Sequence, residues 1–234
     1  SFEPNARPVD LNDLPKDFSF DLLEENWDHF EPIMKEALHR IPALENAEVR
    51  TLLNGPESFT LDGAFLMGEA PEAPGFFMCC GMNSMGVASS GGAGKALADW
   101  IIHGYPPSDL AEMDPARCEE FQSRDIYLQE RCPETLVLTY AMHWPGRQRT
   151  TARNLRRTPF YHVMKASGAC FAEIQGWERP GWFAPCGIEA INDYSFQRPS
   201  WFSFMLQEQK TVRSTVGLID YSMLGKLIVE GRDA

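Results

Sequence analysis

A regular stripe of apolar side chains near the start of the chain predicts a helix. Between positions 28 and 41 the apolar residues recur at intervals of three and four, which places them on one helical face. Pro42 follows and prevents the helix from continuing. We therefore expect a helix over residues 28–41 that packs one face against a core.

Short apolar runs separated by turn residues predict strands in the next part of the chain. Residues 48–53 favour a strand, and the Asn-Gly-Pro sequence at 54–56 favours a turn after it. An Asp-Gly pair at 62–63 divides two apolar runs within residues 59–67, which is the usual signature of a two-residue hairpin turn. The glycine-bounded apolar run at 75–81 is typical of a buried strand.

Helices and strands are both predicted in the remainder, so the expected fold class is α+β. Gly104 and the two prolines that follow it mark the end of a helix that begins near Ser89. The other predicted elements are helices over 119–131 and 207–216 and strands over 136–140, 216–219 and 226–229.

Charge and composition argue against several classes of function. The 234 residues include 21 Lys and Arg against 33 Asp and Glu, a formal net charge of −12. This excess repels phosphate backbones and anionic lipid, so nucleic acid is not an expected partner. No apolar run reaches the roughly 18 residues that a membrane-spanning helix needs. The six cysteines and five histidines lack the spacing of a metal site, so we predict no metal and reduced thiols.

Five arginines between positions 147 and 157 stand out in this acidic chain. They could bind a polyanion such as a folate polyglutamate tail, because guanidinium groups match carboxylates in shape and charge. The alternative is charge compensation between domains.

The most distinctive pattern is a strand, a loop and a glycine-containing helix between Phe76 and His103. The first turn of a helix offers unpaired backbone N–H groups and a partial positive charge, which suit an anion or a ring carbonyl. Gly91, Gly92 and Gly94 each cost the helix about 0.8–1 kcal/mol relative to Ala. Their clustering indicates close approach to the backbone, either by a flat ligand or by a neighbouring strand of the chain. The spacing fits neither a Walker loop nor the GxGxxG fingerprint.

A series of motifs, in order, carries a resemblance to a known family. They lie at residues 53–63, 66–71, 81–95, 141–147, 155–159, 176–183 and 220–226. The first three resemble the C-terminal end of an FAD-dependent amine oxidoreductase domain of the dimethylglycine and sarcosine dehydrogenase family, which includes the regulatory subunit of pyruvate dehydrogenase phosphatase. The last is similar to the opening of an aminomethyltransferase-like folate domain.

The resemblance implies a domain order and two cofactors. Residues 1–105 would be the C-terminal part of the FAD-dependent domain, with an antiparallel substrate sheet and a returning helix. Residues 106–165 would form a central connecting domain, and residues 166–234 would begin the folate domain. The implied cofactors are FAD and tetrahydrofolate, the latter with a site mostly outside this chain. Because the fingerprint for the FAD pyrophosphate is missing from the sequence, the chain alone is expected not to hold FAD.

The resemblance also implies a reaction. It is the oxidative demethylation of an N-methyl amino acid of the dimethylglycine or sarcosine type, with the one-carbon unit passed to tetrahydrofolate. Electrons would go to an electron-transfer flavoprotein or to oxygen. The alternative is a non-catalytic regulatory subunit of the same family. The implied location is the cytoplasm, or the mitochondrial matrix in a eukaryote.

Two segments are implied to border the site. Residues 54–63 resemble the stretch that passes over the flavin and the substrate, so Pro56 and Thr60 are candidates for substrate binding, with a purely structural hairpin as the alternative. No catalytic residue is predicted. In relatives the loop beside the flavin ring corresponds to Gly81, Met82, Asn83, Ser84, Met85, Gly86, Val87 and Ala88, which are the implied cofactor-binding residues.

Overall fold

Helix α1 covers Trp27–Arg40 in the computed structural model. The side chain of Asn26 accepts a hydrogen bond from the backbone N–H of His29 (2.9 Å) and so caps the first turn. The predicted helix over 28–41 is therefore confirmed. The predicted apolar face is the less exposed face, with Phe30, Ile33, Met34, Ala37 and Leu38 half-buried, but no residue of α1 is fully buried.

Two compact units, residues 1–142 and residues 143–234, make up the chain, of which the structure describes residues 6–10 and 12–233. Each unit combines helices with one small antiparallel sheet, so the fold class is α+β, as predicted. The domain boundaries predicted at residues 105 and 165 stay predictions, since units defined by packing need not coincide with the domains of a family.

The sheet of the first unit is a two-stranded antiparallel ribbon. Strand β1 covers Leu66–Glu69 and strand β2 covers Phe77–Cys80. The strand predicted within residues 75–81 is confirmed. It is not buried as predicted, because Cys79 and Cys80 are exposed.

The hairpin predicted around Asp62 does not form, because side chains rather than strand pairing hold that segment. The guanidinium of Arg117 donates two hydrogen bonds to the Asp62 carboxylate (2.7 and 3.0 Å) and a third to the carbonyl of Ala64 (2.7 Å). The hydroxyl of Thr135 donates to the carbonyl of Leu61 (3.0 Å). Strand β1 consequently pairs across a longer connection that follows it.

Helix α2, Gly86–His103, packs on this sheet through Trp100, whose indole is buried. A Cβ atom at Gly68 would lie 2.8 Å from the indole ring, so only glycine leaves room for it there. Phe77 meets the indole edge-on, with ring centroids 6.4 Å apart. Gly104 ends the helix in the left-handed conformation (φ +79°), as predicted, and the helix begins three residues earlier than predicted.

Helix α3, Asp125–Tyr140, includes the segment 136–140 that was predicted as a strand. Tyr127, Arg131 and Thr135 are buried at intervals of four, which puts them on one face of the helix. Tertiary packing of this face overrides the local β preference of residues 136–140.

The second unit contains a hairpin that sequence patterns missed. Short helix α4, Tyr161–Ala166, leads into strand β3, Ala169–Ile174, which pairs with strand β4, Trp177–Phe183. Gln175 and Gly176 form the two-residue turn with φ values of +50° and +79°. Two positive φ angles are what a type I′ hairpin turn requires.

The core of the second unit lies against this hairpin. The ring of Trp182 is buried and stacks on Phe204, with centroids 5.8 Å apart and an interplanar angle of 14°. Cys170 and Ala184 complete the buried cluster. Phe204 lies on helix α5, Phe202–Ser214, which begins five residues before the predicted helix.

Three predicted strands do not form. Residues 48–53, 216–219 and 226–229 have no regular secondary structure. Leu53 is 70% exposed, Leu218 is 95% exposed and Leu227 is 92% exposed, so these apolar runs bury little of their surface within the described residues. A β-forming composition gives a strand only where a partner strand or face is present.

A buried ion pair anchors the loop before α4 to β4. The Glu178 side chain is only 1% exposed. It accepts hydrogen bonds from Arg153 Nε (2.8 Å), Arg153 Nη2 (2.5 Å) and the backbone N–H of Asn154 (2.7 Å). One member of the predicted arginine group thus compensates an acidic residue within the second unit. Among the helices of the described residues, none has the length and apolarity to cross a membrane.

We predict that Glu178→Gln lowers the free energy of unfolding of the second unit by about 2–3 kcal/mol, because it leaves the Arg153 charge without its counter-ion. Urea unfolding followed by tryptophan fluorescence measures the change. The matched control is Glu189→Gln at an exposed site of the same unit, which should have no measurable effect. Equal midpoints for the two variants would contradict the prediction.

The effect of Glu178→Gln should also depend on pH. Burial alone raises the pKa of Glu178, but the hydrogen bonds from Arg153 and Asn154 and the charge of Arg153 outweigh it and lower the pKa below its usual value. The ion pair therefore contributes fully above the unfolded pKa of glutamate, about 4.3, and its contribution is lost as pH falls through the lower folded value. We expect the stability difference between wild type and variant to shrink in acid; a constant difference would contradict this assignment.

Candidate functional site

The loop between β2 and α2 is tied to an earlier segment through the side chain of Asn83, which is 1% exposed. Its Oδ1 accepts a hydrogen bond from the backbone N–H of Thr60 (2.8 Å), and its Nδ2 donates to the carbonyl of Gly81 (2.6 Å). The backbone N–H of Asn83 donates to the carbonyl of Ser58 (3.1 Å). The two segments predicted to border the site are therefore in direct contact.

The loop backbone takes a conformation that few side chains permit. Gly81, Asn83 and Ser84 have φ values of +67°, +50° and +63°. A Cβ atom at Gly81 would lie 2.6 Å from Cγ2 of Thr60, so only glycine fits there. Asparagine tolerates the left-handed region better than most residues, and three buried hydrogen bonds hold it there.

The start of α2 presents backbone donors that the protein does not use. Met85, at the N-cap position, makes no side-chain capping hydrogen bond. Within α2, Ser89 is the first residue whose N–H donates to a backbone carbonyl, that of Met85 (3.0 Å). The N–H groups of Gly86, Val87 and Ala88 have no acceptor among the described residues.

Not every amide of the loop is available in this way. The N–H of Asn83 is bonded to Ser58, and the N–H of Met85 donates to the carbonyl of Met82 (2.9 Å). The backbone amides that remain available to a ligand are therefore those of the first turn of α2 and not those of the whole loop. That turn also carries the positive end of the helix dipole.

An open cavity of about 360 Å³ lies at this turn. Six of the eight predicted cofactor-binding residues line it, and Met85 and Ala88 do not. Val87 is 99% exposed beside it and gives the first turn an apolar surface. The residues that line the cavity are Glu57, Ser58, Gly81, Met82, Asn83, Ser84, Gly86 and Val87.

Three of the four glycines of α2 face open space. A Cβ atom at Gly91, Gly92 or Gly94 would meet no heavy atom within 4 Å. Close packing on a strand at these three positions, one of the two explanations for the glycines, is therefore not found within the described residues. The helix keeps a bare backbone at these positions, and Gly91 comes one helical turn after Val87 of the cavity lining, which suits a flat ligand.

The two predicted substrate-binding residues lie beside the loop but not in the cavity wall. Pro56 is exposed. The hydroxyl of Thr60 donates to the carbonyl of Ala64 (2.8 Å) and accepts from the N–H of Gly63 (3.1 Å), so it stabilises its own turn. Their role in substrate binding stays a prediction.

Asp62 belongs to the segment that contacts the loop, and its carboxylate accepts a hydrogen bond from the backbone N–H of Ala64 (3.1 Å). Burial alone raises the pKa of Asp62, but the hydrogen bonds and charge of Arg117 outweigh it and hold the pKa below its usual value. The carboxylate is therefore ionised at neutral pH and acts as a structural anchor. In the described ranges, no group of three or more His, Cys, Asp or Glu side chains could hold a metal ion.

Sequence reasoning missed the acidic residue of the cavity. Glu57 lies between the two predicted substrate-binding positions, and its Oε2 accepts a hydrogen bond from the hydroxyl of Ser84 (2.5 Å). A third hydrogen bond thus joins the two segments. The pattern of apolar residues carries no signal for it, because an exposed glutamate in a loop is common.

We predict opposite effects of alanine at two glycines of this region. Gly81→Ala should lower the free energy of unfolding of the first unit by about 1–3 kcal/mol, because φ is positive and Thr60 blocks the added carbon. Gly91→Ala, in open space on a helix, should raise it by about 0.8–1 kcal/mol. Urea unfolding midpoints test both; a shift of the same sign for the two would contradict the geometry of the loop.

Three family models match consecutive parts of the chain. Residues 8–100 match the FAD dependent oxidoreductase model, residues 103–158 match the FAD dependent oxidoreductase central domain, and residues 160–234 match the GCVT N-terminal domain. The cavity, the loop and nearly all of α2 lie within the first match. The order agrees with the order expected from the sequence motifs.

Curated relatives match over nearly the whole chain. The chain is 40% identical over 234 residues to 4-methylaminobutanoate oxidase (formaldehyde-forming) of Paenarthrobacter nicotinovorans, covering 100% of the chain and 28% of that protein. It is 38% identical over 228 residues to the mitochondrial pyruvate dehydrogenase phosphatase regulatory subunit of Mus musculus, covering 96% of the chain and 26% of that protein. It is 34% identical over 254 residues to the mitochondrial sarcosine dehydrogenase of Homo sapiens, covering 98% and 28%.

The chain thus spans little more than a quarter of the length of these relatives. The ordered set of three domain models and the names of the relatives agree with one another. The chain belongs to the family of FAD-dependent dimethylglycine and sarcosine dehydrogenases.

Proposed function

We propose that this protein is an FAD-dependent oxidoreductase that removes a methyl group from an N-methyl amino acid by oxidation, and that the loop before α2 holds the flavin ring. The observation that carries the proposal is the uncapped first turn of α2 beside an open cavity. Relatives named as 4-methylaminobutanoate oxidase and sarcosine dehydrogenase support this class of substrate.

The residues present fit an FAD ring. The unused N–H groups of Gly86, Val87 and Ala88 suit the carbonyl edge of the ring, where negative charge accumulates on reduction. The bare backbone at Gly91 gives a flat group room to lie close. FAD, when bound, supplies the acceptor for the two electrons removed from the substrate. The part of this chain is to orient the ring and to stabilise charge at its edge.

Asn83 has a positioning role in this proposal. Its buried amide fixes the distance between the loop and the segment at Ser58 to Thr60 before any ligand binds. A preorganised set of donors stabilises charge without reorganising during the reaction. The loop is therefore built in advance rather than formed around the ligand.

The later steps of the expected reaction are part of the proposal. The match of residues 160–234 to the GCVT N-terminal domain supports transfer of the one-carbon unit to tetrahydrofolate. The electron acceptor would be an electron-transfer flavoprotein or oxygen. Names of mitochondrial relatives support a location in the matrix in a eukaryote, and in the cytoplasm otherwise.

A non-catalytic regulatory subunit is the second candidate. The 38% identity to a phosphatase regulatory subunit favours it. The two candidates share the cavity and differ in turnover. Expression from the complete natural coding sequence, followed by assay of sarcosine, dimethylglycine and 4-methylaminobutanoate with a redox dye, separates them. Dye reduction with any of the three supports the oxidoreductase; an FAD-loaded protein that reduces no dye supports the regulator.

We predict that Gly91→Leu in the same protein weakens FAD binding at least tenfold, because the side chain occupies the space over the backbone where the ring would lie. The control is Ala98→Leu, two turns further along the exposed part of α2, which should leave FAD affinity unchanged. Quenching of FAD fluorescence measures both. Because leucine favours a helix more than glycine does, a loss of affinity cannot be attributed to an unfolded helix. Equal FAD affinities for the two variants would show that the flavin ring does not lie over the backbone at Gly91.

A further inference from the structure

Glu57 is the one charged side chain among the residues that line the cavity at the start of α2. Its Oε2 is held by the hydroxyl of Ser84, on the opposite segment of the site. Its Oε1 receives no hydrogen bond from any described residue. The cavity therefore has a carboxylate that one hydrogen bond ties to the loop, with the other oxygen still available.

The position of this carboxylate follows from the framework described above. Ser58, the next residue, accepts the backbone N–H of Asn83, and Ser84 comes directly after Asn83 in the chain. The hydrogen bonds Glu57–Ser84 and Ser58–Asn83 thus join consecutive residues of the same two segments. Two neighbouring residues of one segment are therefore bonded to two neighbouring residues of the loop, with the side chain of Glu57 accessible to solvent.

We infer that Glu57 binds the cationic nitrogen of the substrate. This inference rests on the proposed function for the kind of substrate. Aliphatic amines are protonated at neutral pH, as the ordinary pKa of lysine shows, so an N-methyl amino acid carries a positive charge next to its methyl group. A carboxylate with a free oxygen is the side chain that recognises such a charge.

The placement also suits the chemistry of the reaction. After the bound ammonium has lost its proton to water in the open cavity, transfer of a hydride from the N-methyl carbon to the FAD of the proposed function converts the neutral amine into an iminium cation, so positive charge grows again at nitrogen. A fixed carboxylate nearby stabilises that growth and would favour the product side of the step. The first turn of α2, with its N–H donors, lies on the same cavity and carries the opposite polarity. One cavity wall thus suits negative charge and the other suits positive charge.

The test uses two molecules of the same shape that differ in charge. In N,N,N-trimethylglycine the quaternary nitrogen is positive and cannot be oxidised in the way a secondary amine is. In 3,3-dimethylbutanoate a neutral carbon replaces that nitrogen and the carboxylate is unchanged. Binding of each to the protein from its complete natural coding sequence is measured by ligand-observed NMR, which needs neither turnover nor flavin absorbance.

We expect the wild-type protein to prefer the cationic ligand about tenfold, and the preference to fall as salt rises. Glu57→Gln, which keeps the size of the side chain and its contact with Ser84, should abolish the preference. Glu72→Gln, at an exposed position in the turn between β1 and β2, is the matched control and should keep it. Ser84→Ala should reduce the preference in part, because it frees the carboxylate to move.

The outcomes separate this inference from the proposed function. Equal binding of the two ligands by wild type, binding of neither, or an unchanged preference in Glu57→Gln overturns the role of Glu57, even where the protein oxidises its substrate. A preference that depends on Glu57 in a protein without oxidase activity upholds the cation site and removes the proposed oxidation.

Discussion

The amide of Asn83 is the interaction on which the candidate site depends. It bridges two segments that lie 23 residues apart in the chain and leaves almost none of its surface to water. If this side chain could not satisfy both its donor and its acceptor, the buried amide would carry a free-energy penalty and the loop would lose its shape. The left-handed backbone at Asn83 and the contact between Thr60 and Gly81 are held in place by these hydrogen bonds.

Polar groups are buried in both units, Arg131 and Asn83 in the first and Glu178 in the second. Of the largest side chains that are fully buried in the described residues, Arg131, Glu178 and Asn83 are polar or charged and only Met67 is apolar. Small sheets of two strands cannot bury much apolar surface. Directed hydrogen bonds therefore fix relations between loops that packing alone would leave loose. The stability of the fold is therefore sensitive to single substitutions, since the loss of one partner leaves a buried charge or amide uncompensated.

This dependence on polar groups explains which parts of the fold and of the site could be predicted from the sequence. Helix α1 and the end of α2 at Gly104 were predictable because apolar spacing and a capping glycine are local signals. The α3 face was not, because Tyr127, Arg131 and Thr135 have no apolar periodicity and are buried by partners elsewhere in the chain. In β4, Pro180 argues against a strand, but the register shift opposite Cys170 and Phe171 accommodates it. The strand–loop–helix pattern and the resemblance both indicated the loop, whereas Glu57 depends on a contact with Ser84, 27 residues away, for which the sequence carries no local signal.

The packing of Trp100 on Gly68 limits which substitutions this sequence can accept during evolution. The indole occupies the volume in which a side chain at position 68 would begin, so neither position is independent of the other. A methyl group at 68 demands a smaller ring at 100, and a smaller ring at 100 opens a void over the sheet. Substitutions at positions 68 and 100 should therefore occur together during evolution. Covariation between these two positions would then help to align distant homologues of the unit.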